Sequence, residues 1–173
     1  MKLLCFNISL LFILLACQQE QKNTAEPQKW SKEQSTELSQ SIAKEEEIAI
    51  KLYLKNRPDW EMTKTDSGLR YWIYEETDGE IPQDGDVVKV AFEIRLLNDS
   101  LCYQTEKGET SKFMVNKSDV ESGVMEGVKL MPEGSSAKFI LPSHLGHGLL
   151  GDFDKIPPLE VLVFDLTLKA IQR

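Results

Sequence analysis

Hydrophobic positions along the 173-residue chain change their spacing several times, and each change marks a segment. Leu3 to Ala16 is a solid apolar run, preceded by Lys2 and broken only by Asn7 and Ser9. The run is shorter than the ~20 residues a membrane-crossing helix needs. Its order (positive, apolar, small) is that of a secretory signal, predicted over residues 1–16. From Gln18 to Trp30 the chain is polar with almost no aliphatic side chain, which predicts a flexible tether over residues 17–30. Ser31-Lys32-Glu33-Gln34 has the Ser-x-x-Gln form of a capping box, and no Gly or Pro follows until Pro58. A helix is predicted to fill residues 31–56 of a 31–58 segment, because the residue before a proline is driven out of the helical region. Leu38/Ile42, Ile48/Leu52 and Ile50/Leu54 recur at helical spacing, more densely in the second half. Two readings fit: a solvated helix docked by its C-terminal half, or a helix that meets a partner or a second copy.

From Trp60 the period becomes two. Leu69, Tyr71 and Ile73 alternate with Trp72 and Tyr74. Val88, Val90, Phe92, Ile94 and Leu96 share one face, opposite Lys89, Glu93 and Arg95, the signature of a half-buried antiparallel strand. A polar loop is expected from Glu106 to Lys112. Ser118-Asp119-Val120-Glu121 reads as a second capping box, opening a short helix that runs through Val124 to Leu130 and closes at Pro132-Glu133-Gly134. Ala137, Phe139 and Leu141 alternate again, a Gly-rich stretch from Pro142 to Asp154 reads as a flexible lip, and Leu162, Phe164, Leu166 and Leu168 form one face of a long last strand. The expected fold class is α+β: an antiparallel sheet wrapped around one short helix, occupying residues 60–173.

Composition narrows the chemistry. The apolar fraction of 41% supplies a real core. A net charge of −8 leaves no basic surplus to neutralise phosphates, so no nucleic-acid partner is expected. The 3 cysteines are too few for a disulfide scaffold or a four-cysteine zinc site. Leu14-Leu15-Ala16-Cys17 resembles the bacterial lipobox, which implies cleavage before Cys17 and acylation of its sulfur. Cys5 then leaves with the signal, and Cys102 is the remaining thiol, best read as a small buried hydrophobe. His144 and His147, with Asp152 and Asp154 nearby, raise a metal site. A loop His-x-x-His lacks a defined third ligand, and no metal or cofactor is expected.

Four pieces in order carry a family resemblance: Asp84-Gly85-Asp86-Val87-Val88-Lys89-Val90; Gly123-Val124-Met125-Glu126-Gly127-Val128-Lys129-Leu130-Met131 with Gly134; Leu141-Pro142-Ser143-His144-Leu145-Gly146-His147-Gly148; and Ile156-Pro157-Pro158 leading into Leu162-Val163-Phe164. The set resembles the FKBP-type peptidyl-prolyl cis-trans isomerases over residues 84–173, with a lead strand from about residue 60. With the lipobox, tether and helix, it resembles more narrowly the lipoprotein FKBPs of Bacteroidota, including the gliding-motility-associated group.

The resemblance implies an FKBP-like fold and isomerase activity that needs no cofactor. It also implies a pocket. Phe92 stands where the family has a strand Tyr. Val120 matches the helix-start Val, Glu121 replaces an Ile, and Val124 replaces the aromatic floor. His147 replaces a loop Tyr, while Ile156 and Phe164 match outright. The family's Phe-Asp pair falls on Cys102-Tyr103, so the Asp is missing. The expectation is a lipid-anchored isomerase in the cell envelope: Gln18, rather than an Asp, follows Cys17, which favours the outer membrane, facing the periplasm. Its clients would be proline-containing polypeptides. The eroded pocket keeps an alternative open: a catalytically weak or silent binding or assembly subunit of an envelope complex, joined through the helix of residues 31–56.

Overall fold

In the computed structural model of the protein, residues 31–173 are described, and the expected signal peptide, Cys17 and tether lie outside them. The described residues fall into two units, divided between Ser35 and Thr36. In the first, Ser31 Oγ accepts the Gln34 N–H at 3.2 Å and Gln34 Oε1 accepts the Ser31 N–H at 2.9 Å, the reciprocal capping box that the sequence predicts. It opens α1 (Lys32–Lys55).

The second unit is built on one antiparallel sheet. Its strands are β1 (Thr63–Lys64), β2 (Arg70–Glu75), β3 (Val87–Leu96), β4 (Leu101–Gln104), β5 (Ser111–Met114), β6 (Ser136–Leu141) and β7 (Leu162–Gln172). They run in the order β1-β2-β6-β7-β3-β4, with β5 also on β3. One edge of β3 is taken by β7 from Val87 to Leu96, and the other is shared by β5 and β4. Between those two short strands Thr105 holds the β3 backbone: its N–H donates to the Phe92 carbonyl at 3.0 Å and its Oγ1 accepts the Phe92 N–H at 3.1 Å.

Both faces of this sheet are covered in part, so Ile140 and Val163, which alternate with the inner-face set, are buried as well. On the inner face lie Val88, Val90, Ile94, Phe139, Phe164, Leu166 and Leu168, all buried. They pack on α2 (Ser122–Val128). On the outer face Ile140, Val161 and Val163 pack on Ile50 and Tyr53 of α1, with Trp60 and Leu97 at the margin. The docked-helix reading therefore holds for the C-terminal half of α1. The Ile48/Leu52 pair does not share in it: Ile48 is 59% and Leu52 61% exposed.

Ion pairs tie α1 to the sheet. Glu47 accepts from Arg70 at 2.6 Å and Lys64 at 2.9 Å, and these hydrogen bonds, Arg70 first, hold its carboxyl down at about 2. A depressed carboxyl favours the folded state above its ordinary value of 4.5, and that contribution fades as pH falls toward about 2. Arg57 grips both oxygens of Asp99, at 2.7 and 2.8 Å, while stacking 3.5 Å over the Tyr53 ring.

The second capping box is corrected by the structure. α2 begins four residues after Ser118, and Ser118 Oγ instead accepts the Met114 N–H at 2.8 Å, ending β5. Glu121 is the N-cap, with no side-chain capping bond; its carbonyl receives Val124 N–H at 3.0 Å and Met125 N–H at 3.1 Å. The Gly-rich lip is also more closely packed than expected. A Cβ on Gly151 would sit 2.2 Å from the Ile156 carbonyl oxygen, at a φ of +67°.

Glycine is what lets α2 lie against the sheet. A Cβ on Gly123 would meet Leu141 Cγ at 2.6 Å, and one on Gly127 would meet the Phe139 ring at 2.7 Å. Phe139 is wholly buried and has no room to yield. Gly127→Ala is therefore expected to destabilise the protein by about 1–3 kcal/mol despite better helix propensity. The urea midpoint measures this, and an unchanged or raised midpoint would contradict the close contact.

Candidate functional site

Between α2 and the inner face of the sheet lies an apolar cavity of about 180 Å³. Alternation along β3 and β7 sends Phe92, Ile94, Phe164 and Leu166 into it from the sheet, with Val90 behind them. The pairs Phe92–Leu166 and Ile94–Phe164 face each other across the two strands. Val124, the third residue of α2, and Val120 before the helix close the opposite side. Ser111, Lys112 and Phe113 of β5 and Glu121 form the rim.

Five of the eight sequence-predicted residues line this cavity: Phe92, Val120, Glu121, Val124 and Phe164. The other three surround it. Ile156 is buried in the same core and does not line the cavity. His147 reaches Glu121 from the loop after β6, with Nε2 3.0 Å from Oε1. Tyr103 pairs across the strands with Ile94, beside the cavity lining, and packs against the core. Its hydroxyl donates to the carboxylate of Asp152 and lies 3.3 Å from Asp154 Oδ2, with Lys155 Nζ 4.8 Å from its ring centre.

These contacts set the charges around the cavity. The hydrogen bond to Asp152, with the nearby negative charge, pushes the Tyr103 hydroxyl up to about 12. Desolvation works against ionisation of Asp152, but the Tyr103 hydroxyl and the N–H groups of Ile156 and Asp154 outweigh it and hold the carboxyl at about 2. Asp152 is thus a fixed anion and Tyr103 a fixed donor at neutral pH.

The two histidines diverge. His144 Nε2 lies 2.9 Å from the Ser67 carbonyl, so that nitrogen is the donor, whereas His147 faces Glu121. Among the described residues no group of three His, Cys, Asp or Glu is placed to share a metal ion. Cys102 is 4% exposed, its Sγ 3.7 Å from the Lys155 carbonyl, and burial pushes its thiol up.

Sequence reasoning missed the rim from β5. Ser111 and Lys112 belong to a strand rather than to the end of a polar loop, and Phe113 is the inward residue of that strand. Four residues give too little alternation to register, although Phe113 flanked by Lys112 and Met114 was the available signal.

The profile of the FKBP-type peptidyl-prolyl cis-trans isomerase family matches residues 79–169, over half of the chain. The chain belongs to this family. The matched stretch contains every residue that lines the cavity. Among FKBP relatives, a probable FkpA isomerase of Neisseria meningitidis is 38% identical over 107 residues, covering 62% of this chain and 39% of its own length. An FkpA of Aeromonas hydrophila is 40% identical over 111 residues, 63% of this chain and 40% of the relative. The outer membrane protein MIP of Legionella longbeachae is 32% identical over 108 residues, 62% of this chain and 46% of MIP. This chain therefore spans about two fifths of the first two relatives, 39% and 40% of their lengths. The crystal structure of FkpA from Escherichia coli superposes with a TM-score of 0.66 at 26% identity, over 80% of this chain and 64% of that one.

Proposed function

We propose that this FKBP-family chain is a peptidyl-prolyl cis-trans isomerase acting on exported or envelope polypeptides. The observation that carries the proposal is the apolar cavity between β3, β7 and α2, lined by five of the eight residues that the sequence resemblance singles out. The slow step is rotation about an amide with partial double-bond character, over a barrier of ~18–20 kcal/mol. No nucleophile is required. A proline ring seated on Phe92, Phe164 and Val124 removes water from the adjoining amide. Water stabilises the planar, polar amide more than the twisted one, so its exclusion favours the twisted form. Each ~1.4 kcal/mol of preference for that form gives a tenfold rate.

The rest of the proposal concerns place. The lipobox-like Leu14-Leu15-Ala16-Cys17 supports a lipid anchor at Cys17, and Gln18 after it supports the outer membrane, periplasmic face. A relative bearing the name outer membrane protein MIP fits the same setting. The lipobox, tether and Pro-Ser-His loop further support kinship with the lipoprotein FKBPs of the gliding-motility-associated group. A lipid-held isomerase would meet exported chains as they emerge, where uncatalysed proline isomerisation takes ~10–100 s.

One observation favours a second reading, an assembly subunit with little catalysis: Leu38, Ile48 and Leu52 are exposed on α1, at 46%, 59% and 61%. Under that reading, Ile48→Glu with Leu52→Glu abolishes association with a partner or a second copy, while substitutions in the cavity leave it intact.

A cis/trans assay on short Xaa-Pro peptides separates the two. The isomerase reading expects a rate above background at micromolar protein, lowered roughly tenfold or more by Phe92→Ala or Phe164→Ala. Phe164 is also core, and its truncation costs about 3–5 kcal/mol of stability, so the rates are taken below each variant's unfolding transition. No rate above background would overturn it.

A further inference from the structure

The cavity between α2 and the sheet is apolar except at its rim, where two charged residues stand, Glu121 and Lys112. Strand register separates them. Across β3 and β5, Ser111 pairs with Val90 and Phe113 with Val88, whereas Lys112 pairs with Lys89. Val88 and Val90 belong to the inner face, so alternation directs Lys112 to the opposite face. Glu121 is therefore the charged side chain left at the cavity's mouth. Its carboxylate is half-buried, and α2 does not use it: Glu121 is the N-cap but forms no side-chain capping bond. His147 Nε2 approaches its Oε1 at 3.0 Å, and no other described residue bonds to the carboxylate. On the flank beside Tyr103, two carboxylates, Asp152 and Asp154, outnumber one cation, Lys155.

We propose that Glu121 is a specificity-determining residue of the isomerase site, selecting prolines that have a lysine or arginine as a direct neighbour in the chain. This rests on the isomerase reading above. Glu121 stands three residues before Val124, one helical turn from a side chain that seats the proline ring. At that spacing Cβ atoms are about 5–6 Å apart. Adjacent residues of a bound peptide are about 3.8 Å apart, and the long stem of a lysine or arginine spans the rest. A carboxylate at an apolar, partly dehydrated mouth attracts a cation more strongly than one in open water, because less solvent screens the pair. An acidic neighbour would set like charges side by side. An apolar neighbour would strip water from a carboxylate that keeps only His147. Glu121 stands where the family pattern has an Ile, so the exchange changes what the mouth can hold beside the proline.

The test compares pairs of short proline peptides that differ only in whether the residue next to the proline is lysine or Nε-acetyl-lysine. That residue precedes the proline in one pair and follows it in the other. Acetylation removes the charge and keeps the stem. With the full chain, kcat/KM should favour lysine by about three- to tenfold in at least one pair, the scale of a partly buried ion pair. Glu121→Gln keeps the size and an acceptor beside His147, and should abolish that preference. Lys112→Gln should leave it near its wild-type value, because Lys112 lies on the other face. Each preference is a ratio taken within one variant, so a general loss of activity or folding cancels. Equal rates within both pairs, or a lysine preference that survives Glu121→Gln, would overturn the proposal. A protein with no rate on any of the peptides sinks the isomerase reading instead, and the dissociation constants of the same peptides then decide the selectivity. A lysine preference in affinity that Glu121→Gln removes supports it; equal affinities within both pairs, or no binding, overturn it.

Discussion

The fold depends on how closely one short helix can approach the sheet. Gly123 and Gly127 bring α2 onto Leu141 and Phe139 with no side chain between. Val124, set between the two glycines, and Val120 before the helix meet Phe92 and Phe164 instead, and the cavity lies among these four side chains. Core and site are therefore one surface. Phe164 is at once buried core and cavity wall, and a change there tests both roles together.

The outer face obeys a different constraint. An apolar sheet face cannot be left to water, and the chain covers it with α1, using Ile50 and Tyr53 against Ile140 and Val163. Cations complete the seal: Arg70 from β2 is buried against Glu47, and Arg57 bridges α1 to Asp99 at the β3–β4 turn. The acidic surplus of the chain is spent partly on holding these cations in place.

Strong periodicity made most of this legible in the sequence. The period-two face of β3 named Phe92 and the long last strand named Phe164, because ten or eleven alternating residues leave one register that buries the apolar set. The helix α1 was legible from its capping box and its freedom from Gly and Pro. Short elements were not. β5 has four residues, and Ser118 offered a capping signal that the structure spends on the Met114 N–H instead. The polar edge of the site was hidden for another reason. Tyr103, Glu121, His147 and Asp152 come from β4, the start of α2 and one loop, and only tertiary structure brings them together. Read singly, Tyr103 was a departure from a pattern and Asp152 a stray carboxylate near two histidines.

The central claim is that proline-bearing chains enter the cavity between β3, β7 and α2. A methyl-resolved NMR titration with a short Leu-Pro peptide tests it directly, because valine and isoleucine methyls mark both faces of the sheet. The account predicts shifts at Val90, Ile94, Val120 and Val124, with Ile50, Val161 and Val163 on the other face unmoved. Shifts confined to the outer-face set, or none at saturating peptide, would contradict it.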